Sequence, residues 1–272
     1  MKIQIFDVEH GGCALLTADT GSRILIDCGH NGTTGWRPST YLRQLGVRHL
    51  ENLIITNYDE DHASDLANLV KVVSIGVLWS NPSVTAVELR KLKKVGGIGQ
   101  GIDALADLKS RWTSSVNSFD GDFGNLSTSL FWNRYPTEFE DENNLSLVVI
   151  MKAYGLTICF PGDMEMAGWK NLLRNPAFVQ AISKVNVFVA SHHGRENGCC
   201  EELFSRTGLA PAIVVISDSG IEHATQETVN WYRARARGIA LNGEKRRVLT
   251  TRRDGRVLLE ASSDRTTVSV GV

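Results

Sequence analysis

The run Leu53-Ile54-Ile55-Thr56-Asn57-Tyr58-Asp59-Glu60-Asp61-His62 constrains this chain more than any other segment, because an apolar stretch passes directly into clustered acids that end in a histidine. Leu53 to Ile55 read as a buried strand, and the Asn/Asp-rich stretch after them as a loop or the start of a helix. Three adjacent carboxylates repel one another unless something positive joins them. Asp59, Asp61 and His62 offer oxygen and imidazole ligands within four residues, a mixture that suits zinc or manganese better than calcium, which prefers all-oxygen shells. The same acids also fit a helix N-terminus, with Asp59 or Asp61 capping a helix that begins near Ala63.

Two later clusters favour the metal reading. Leu156-Thr157-Ile158-Cys159-Phe160-Pro161-Gly162-Asp163 is an apolar strand that stops at a glycine and then presents one carboxylate. Val185-Asn186-Val187-Phe188-Val189-Ala190-Ser191-His192-His193-Gly194 delivers adjacent imidazoles from another strand. A lone aspartate or histidine is more often a cap or a satisfied core residue. Three such clusters at strand ends reverse that expectation, since loops at one end of a sheet converge on a common crevice.

Strands are expected near residues 2–8, 13–18 and 23–27, then a helix opened by Pro38, whose fixed φ suits a first helical turn. A strand at Leu53 leads through the acidic loop to a helix over Ala63–Val72 and a strand over Ile75–Trp79. Further strands are expected at 146–151, 156–160, 185–190 and 213–217, with helices near 165–173 and 225–235. Two sheets with helices outside, an α/β chain arranged as a four-layer αβ/βα sandwich, fit this order.

Composition agrees with a soluble intracellular enzyme and says little more: 272 residues, 42% of them hydrophobic, can bury a large core within one domain spanning 1–272. A formal charge of -1 gives no global attraction to nucleic acid. No apolar run is long enough to span a membrane, and the N-terminus enters a strand pattern without a leader-like segment, so a cytoplasmic location is expected. The five cysteines lack a C-x-x-C spacing and include adjacent Cys199 and Cys200, which points to free thiols.

In order, Phe6-Asp7-Val8-Glu9-His10-Gly11-Gly12-Cys13, Ile24-Leu25-Ile26-Asp27-Cys28-Gly29, Tyr41-Leu42-Arg43-Gln44-Leu45-Gly46-Val47, the acidic loop, Asn143-Asn144-Leu145-Ser146-Leu147-Val148, Gly162-Asp163, Ser191-His192-His193-Gly194 and Val215-Ile216-Ser217 with His223 resemble the metallo-β-lactamase fold. Within that fold they are similar to the hydrolase domain of ComEC/Rec2-like competence proteins. The resemblance implies a hydrolase that activates water on one or two divalent ions, zinc or manganese. The family's metal loop has the form His-x-His-x-Asp-His, or His-x-Asp-x-Asp-His in competence-like members, and here Asn57 stands at the first histidine. By resemblance, Asn57 and Asp59 serve one metal, Asp61 and His62 the other, and Asp163 bridges both. Asn57 offers only a neutral amide oxygen, so the first site is expected to be weak, selective for a harder ion, or filled only with substrate. His192 or His193 completes the second site, with His192 the expected ligand. His223 is either a ligand or a donor to an anionic substrate group. Asp27 is expected to orient the metal loop rather than bind metal. His10 either reaches the pocket or is a surface turn residue, and Cys13 stands where competence-type members usually carry an acid.

Residues 81–140 form the least regular stretch and, by resemblance, a substrate-shaping insertion. Its Gly96-Gly97-Ile98-Gly99-Gln100-Gly101 matches no phosphate-binding fingerprint and reads as a flexible connection. Trp112, Phe119, Phe123, Phe131 and Trp132 either line the pocket or belong to the core. Near the C-terminus, arginines accumulate, and Arg246, Arg247 and Arg253 are candidate contacts to nucleic acid, with solvated faces the alternative. The expected mechanism uses Asp61 and Asp163 to orient a metal-activated water and His193 or His223 to stabilise developing charge. Competence-type resemblance favours nucleic acid or a small phosphodiester as substrate. An ester or lactone hydrolase, and a degenerate metal-site module that only binds, are the alternatives.

Overall fold

The computed structural model describes residues 1–94, 96–112, 116–219 and 228–271. The first five strands are β1 (Lys2–Ile5), β2 (Ala14–Thr17), β3 (Arg23–Ile26), β4 (His49–Ile54) and β5 (Ser74–Trp79). Next come β6 (Ser127–Phe131), β7 (Val148–Ala153), β8 (Leu156–Phe160), β9 (Val187–Val189) and β10 (Ile213–Ile216). A hairpin of β11 (Ile239–Leu241) and β12 (Glu244–Arg246) precedes β13 (Val248–Thr250), β14 (Val257–Ala261) and β15 (Thr266–Val270). One sheet has the order β15-β14-β1-β2-β3-β4-β5 and the other β13-β10-β9-β8-β7-β6. The helices are α1 (Pro38–Gln44), α2 (Leu66–Val72), α3 (Ala86–Leu92), α4 (Gln100–Arg111), α5 (Met166–Leu172), α6 (Pro176–Ile182), α7 (Glu201–Thr207), α8 (Val229–Arg235) and α9 (Thr251–Asp254).

Side chains alternate between the two faces of each strand, and that alternation separates the layers. Ile3, Ile5, Leu16, Ile24 and Ile26 from the first sheet meet Val149, Ile158, Phe160, Ile213 and Val215 from the second in one buried cluster. The opposite faces are covered separately. Leu15, Leu25 and Leu53 pack with Leu42, Leu66, Leu69 and Leu105 from α1, α2 and α4. Cys159, Phe188 and Val214 pack with Trp169, Phe178, Leu203 and Tyr232 from α5 to α8. The result is the four-layer αβ/βα sandwich expected from the order of elements.

Within each sheet, the strands that lead to the candidate site run the same way. β3 pairs parallel to β4, and β8, β9 and β10 are mutually parallel neighbours. Their C-terminal ends therefore lie together at one edge, as parallel strands require.

Several local expectations differ from what forms. The helix expected from Ala63 begins only at Leu66, after a short 3-10 turn over Glu60–His62. Backbone bonds explain the delay, because Cys28 N–H donates to the His62 carbonyl at 2.8 Å and Asp65 N–H donates to the Cys28 carbonyl at 3.0 Å. The metal loop is thereby stitched to the turn after β3 instead of winding into helix. The strand expected over 2–8 ends at Ile5, where the chain turns away toward Cys13. The glycine-rich stretch is no loose connection in its second half: Gln100 starts α4, and Glu60 accepts the N–H groups of Gly101 at 2.8 Å and Ile102 at 3.1 Å. A Cβ on Gly101 would collide with the Ala63 carbonyl oxygen, so glycine there permits close packing on the metal loop. All five cysteines are free thiols. Among the described residues, no helix is long and apolar enough to cross a membrane.

Candidate metal centre

The strand ends contribute the polar groups of the crevice. After β3, Asp27 adopts φ 57° and its Oδ1 accepts the Thr56 N–H at 2.7 Å, while Oδ2 lies 2.9 Å from Nδ1 of His62. This carboxylate fixes the imidazole so that its Nε2 points across to Asp163 Oδ1 at 3.0 Å. Asp163 follows β8 through Gly162, a residue at φ 59° whose added Cβ would press on Thr56 and Ser146. After β9, His192 and His193 both take φ 52°, a left-handed conformation that is unfavourable for side-chain-bearing residues. Two successive left-handed histidines cost on the order of 1–3 kcal/mol each, and such strain persists where the surroundings over-determine it. Its effect is to turn the two rings apart, with planes 73° from parallel, so that His193 enters the cluster and His192 lies beside it.

Asp61, His62 and His193 each offer a ligand atom, all within 4.8 Å of one another. His193 Nε2 is 3.3 Å from both Asp61 Oδ2 and Asp163 Oδ1. Asp61 Oδ1 is buried without a hydrogen-bond partner, a costly condition that a bound cation relieves, and His193 Nε2 is held between two carboxylates. These donors fit a divalent transition metal, since imidazole nitrogen and carboxylate oxygen are its usual ligands.

The electrostatics follow from enclosure of opposite charges. Burial pulls the His193 imidazolium down, but Asp163 and Asp61 outweigh it and push its pKa up to about 9. Burial likewise opposes charge on His62, and Asp163 and Asp27 raise it well above the ordinary histidine value. Asp163 is desolvated, yet His193 and His62 hold its carboxyl well below the usual carboxylate range. His192 behaves differently: desolvation lowers it, and it stays a neutral ring. Protons on the first two histidines thus stand where a cation would neutralise the acids.

Not every expected ligand joins this group. His193, rather than the expected His192, completes the cluster, while His192 lies 3.8 Å from Asp163 Oδ2 and 3.6 Å from Glu165 Oε1. Asn57 is fully buried, but its amide is used structurally: Oδ1 accepts the Asp59 N–H at 2.7 Å and Nδ2 donates to Ser146 Oγ at 3.0 Å. Asp59 turns its carboxylate to Lys93. His10 stands at the rim, with its ring centroid 6.2 Å from that of His193 and Nδ1 2.8 Å from Ser219 Oγ. His223 lies outside the described residues.

Sequence reasoning assigns no role to Thr56, Ser217, Asp218 or Lys93, all of which bear on the site. Ser217 lines the same small cavity as Asp27, Thr56, His62, Asp163 and His193, a space of about 40 Å³. Asp218 pairs with Arg252 at 3.2 Å, and burial lifts its pKa to about 6. A strand ending in Ser-Asp at 217–218 is the signal that points to these two. Of the aromatic residues in the 81–140 stretch, Phe119 stacks on Trp79 and Phe131 packs edge-on against Phe178, so both belong to cores. Trp112 and Trp132 are exposed, and none of the five lines the cavity.

The basic C-terminal residues line a separate groove of about 500 Å³ that includes Arg233, Lys245, Arg247 and Arg253. Arg246 does not present a free charge there as expected, because its guanidinium lies 2.8 Å from both carboxylate oxygens of Asp254. Arg247 and Arg253 form no ion pair among the described residues.

Comparison with known proteins agrees with this architecture. No curated protein matches the sequence. A protein from Parabacteroides distasonis ATCC 8503, named as a candidate metal-dependent hydrolase, is similar over 92% of this chain and 93% of its own, with 14% identity and a TM-score of 0.46. The E377D mutant of CmlA β-hydroxylase is similar over 95% of this chain and 54% of its own, with 10% identity and a TM-score of 0.52. Residues 8–137, which carry the first sheet's β2 to β5 and the Asp61–His62 loop, match the metallo-beta-lactamase superfamily, and the fold of the chain is of the metallo-β-lactamase type.

Proposed function

We propose that this chain is a metal-dependent hydrolase that cleaves phosphodiesters, with a nucleic acid as the substrate class best suited to its surface. The observation that carries the first part is the convergence of ligand atoms from Asp61, His62 and His193 within 4.8 Å of one another, with Asp61 Oδ1 buried and unpartnered. The superfamily match over residues 8–137 supports the same chemistry. The groove containing Arg233, Lys245, Arg247 and Arg253 supports the second part, since clustered cations track a phosphate backbone. Competence-type resemblance in the order of motifs favours that substrate as well.

A bound divalent ion supplies Lewis acidity and lowers the pKa of its water to about 7. The protein's own groups do the rest. Asp27 holds His62 in one orientation, and His193 Nδ1 lies 3.2 Å from the Gly11 backbone nitrogen, so the other ring nitrogen points inward to Asp61 and Asp163. Asp61 and Asp163 would help hold the ion and orient a water beside it, and one of these carboxylates would accept the proton that water loses. His192 stands beside Asp163 as a neutral ring able to donate a hydrogen bond to charge that develops on the attacked group.

The test uses zinc- or manganese-loaded protein with a chromogenic phosphodiester, a chromogenic carboxylic ester, and DNA or RNA over a salt series. The proposal expects phosphodiester turnover that Asp163→Ala abolishes. It also expects salt-dependent nucleic-acid binding. Changing Arg247 and Arg253 to glutamine should flatten that dependence, the slope falling by ~0.9 for each phosphate the protein no longer neutralises. Cleavage of the ester alone, without salt-sensitive nucleic-acid binding, would make the protein a small-molecule ester hydrolase. Ligand binding without any turnover would make it a binding module.

A further inference from the structure

The carboxylate of the metal loop that stays out of the cluster is held by a lysine from the 81–140 stretch. Lys93, immediately after α3, pairs with Asp59, and its ammonium lies 3.0 Å from Glu142 Oε1. Its side chain is only 11% exposed, so this charge is largely withdrawn from water and depends on its two acids. The adjoining polar groups are also occupied. Asn57 bonds to Asp59 through its Oδ1 and to Ser146 through its Nδ2, and Ser146 Oγ in turn accepts the Asp163 N–H at 3.0 Å. Lys93, Asp59, Asn57 and Ser146 are thus linked by successive ion-pair and hydrogen-bond contacts to the backbone of Asp163. Among the described residues, none of the buried unpartnered side-chain atoms belongs to these four residues, whereas Asp61 Oδ1 is one.

Clustered carboxylates favour a cation among them, and an ammonium can fill that need as a metal ion does; Asp59 and Glu142 are partly exposed, whereas the Lys93 ammonium between them is largely buried. On the Asp61 side, among the described residues, no lysine or arginine pairs with Asp61 or Asp163, and only imidazoles face them. On the Asp59 side Lys93 supplies a fixed cation, and a divalent ion bound to Asp59 would have to compete with the ammonium for Asp59 and Glu142.

We propose that the Lys93 ammonium takes the electrostatic place of a second metal ion, so that the centre binds one divalent cation per chain through Asp61, His62, Asp163 and His193. Asp59 is then the counter-ion of a lysine and not a ligand. This rests on the metal-dependent function proposed above and goes beyond it in fixing the number of ions and the device that sets it. The device lies in the stretch between the metal loop and β7, so that stretch controls the metal content of the site.

The experiment is elemental analysis and calorimetric titration of metal-depleted full-length protein with zinc and, separately, with manganese. The wild type should bind one equivalent. Asp59→Asn should keep that equivalent at unchanged affinity, and Lys93→Arg, which preserves the charge, should also remain at one. Lys93→Met, which leaves Asp59 and Glu142 without their cation, should take up a second and weaker equivalent. Two equivalents in the wild type, loss of metal in Asp59→Asn, or a Lys93→Met protein that stays at one would each overturn the proposal. Those outcomes leave the metal-dependent function intact, while absence of any bound metal in the wild type would overturn both. If Lys93→Met fails to fold, the wild-type stoichiometry and the Asp59→Asn titration still decide.

Discussion

The Asp27 carboxylate and the His62 imidazole are joined at 2.9 Å through Oδ2 and Nδ1, with both residues buried. Asp27 sits at the end of β3 and His62 in the loop after β4, so a bond between strand ends sets the orientation of the metal loop. Both ring nitrogens face a carboxylate, Nδ1 that of Asp27 and Nε2 that of Asp163; a metal bound at Nε2 would displace the proton there, while the Asp27 bond keeps the other on Nδ1.

Asp27→Asn tests that arrangement. An amide cannot stabilise the ligating imidazole as a carboxylate does, and it also weakens the bonds from Thr56 N–H and Oγ1 to this side chain. Loss of such an outer partner lowers metal affinity by ~10–100-fold, and competition with a chelator dye would measure it. Equal affinity in variant and wild type would mean that Asp27 serves the fold alone.

The raised pKa of His193 predicts how the metal-free protein responds to pH. Its folded value of about 9 lies above the ordinary 6.5, so the folded state binds the extra proton. The associated stability is fully present below pH 6.5 and is lost as pH rises toward 9. Metal-free protein should therefore show a melting temperature that falls across that window. Ligation requires neutral imidazole, so metal binding near neutral pH should release protons, and calorimetry in buffers of different ionisation enthalpy would count them. A flat melting profile together with no proton release would place His193 outside the ligand set.

Gly29→Ala probes how closely the metal loop is packed. A Cβ at this position would collide with the Asp61 carbonyl oxygen and lie 3.0 Å from that of Gly12, both rigid backbone atoms. Overpacking of this kind costs about 1–3 kcal/mol, and here the displaced atom belongs to a ligand residue. Thermal unfolding should show the loss in the metal-free protein, and metal affinity should fall with it. A variant that keeps both would show that the loop yields without disturbing Asp61.

The layers and the metal loop are legible in the sequence because apolar alternation at Ile24–Ile26 and Leu156–Phe160 dictates which faces are buried, and because acids clustered after an apolar strand need a cation. The choice between His192 and His193 is not legible, since it depends on two successive left-handed backbone conformations that no local pattern announces. Nor does Asp59 reveal its partner. Lys93 meets it only because Glu60 anchors the start of α4 and α3 packs beside that helix, a tertiary relationship between segments more than thirty residues apart in sequence. The neutralisation of Arg246 is hidden for a similar reason, as its pairing with Asp254 depends on the turn made by α9.

The central claim is that Asp61, His62, Asp163 and His193 together hold a divalent metal ion, and anomalous diffraction from crystals grown with zinc or manganese tests it most directly. The account predicts a peak among these side chains, with imidazole nitrogens at ~2.0–2.1 Å for zinc. No peak, or a peak at Asp59 and Asn57 with none beside His193, would contradict it.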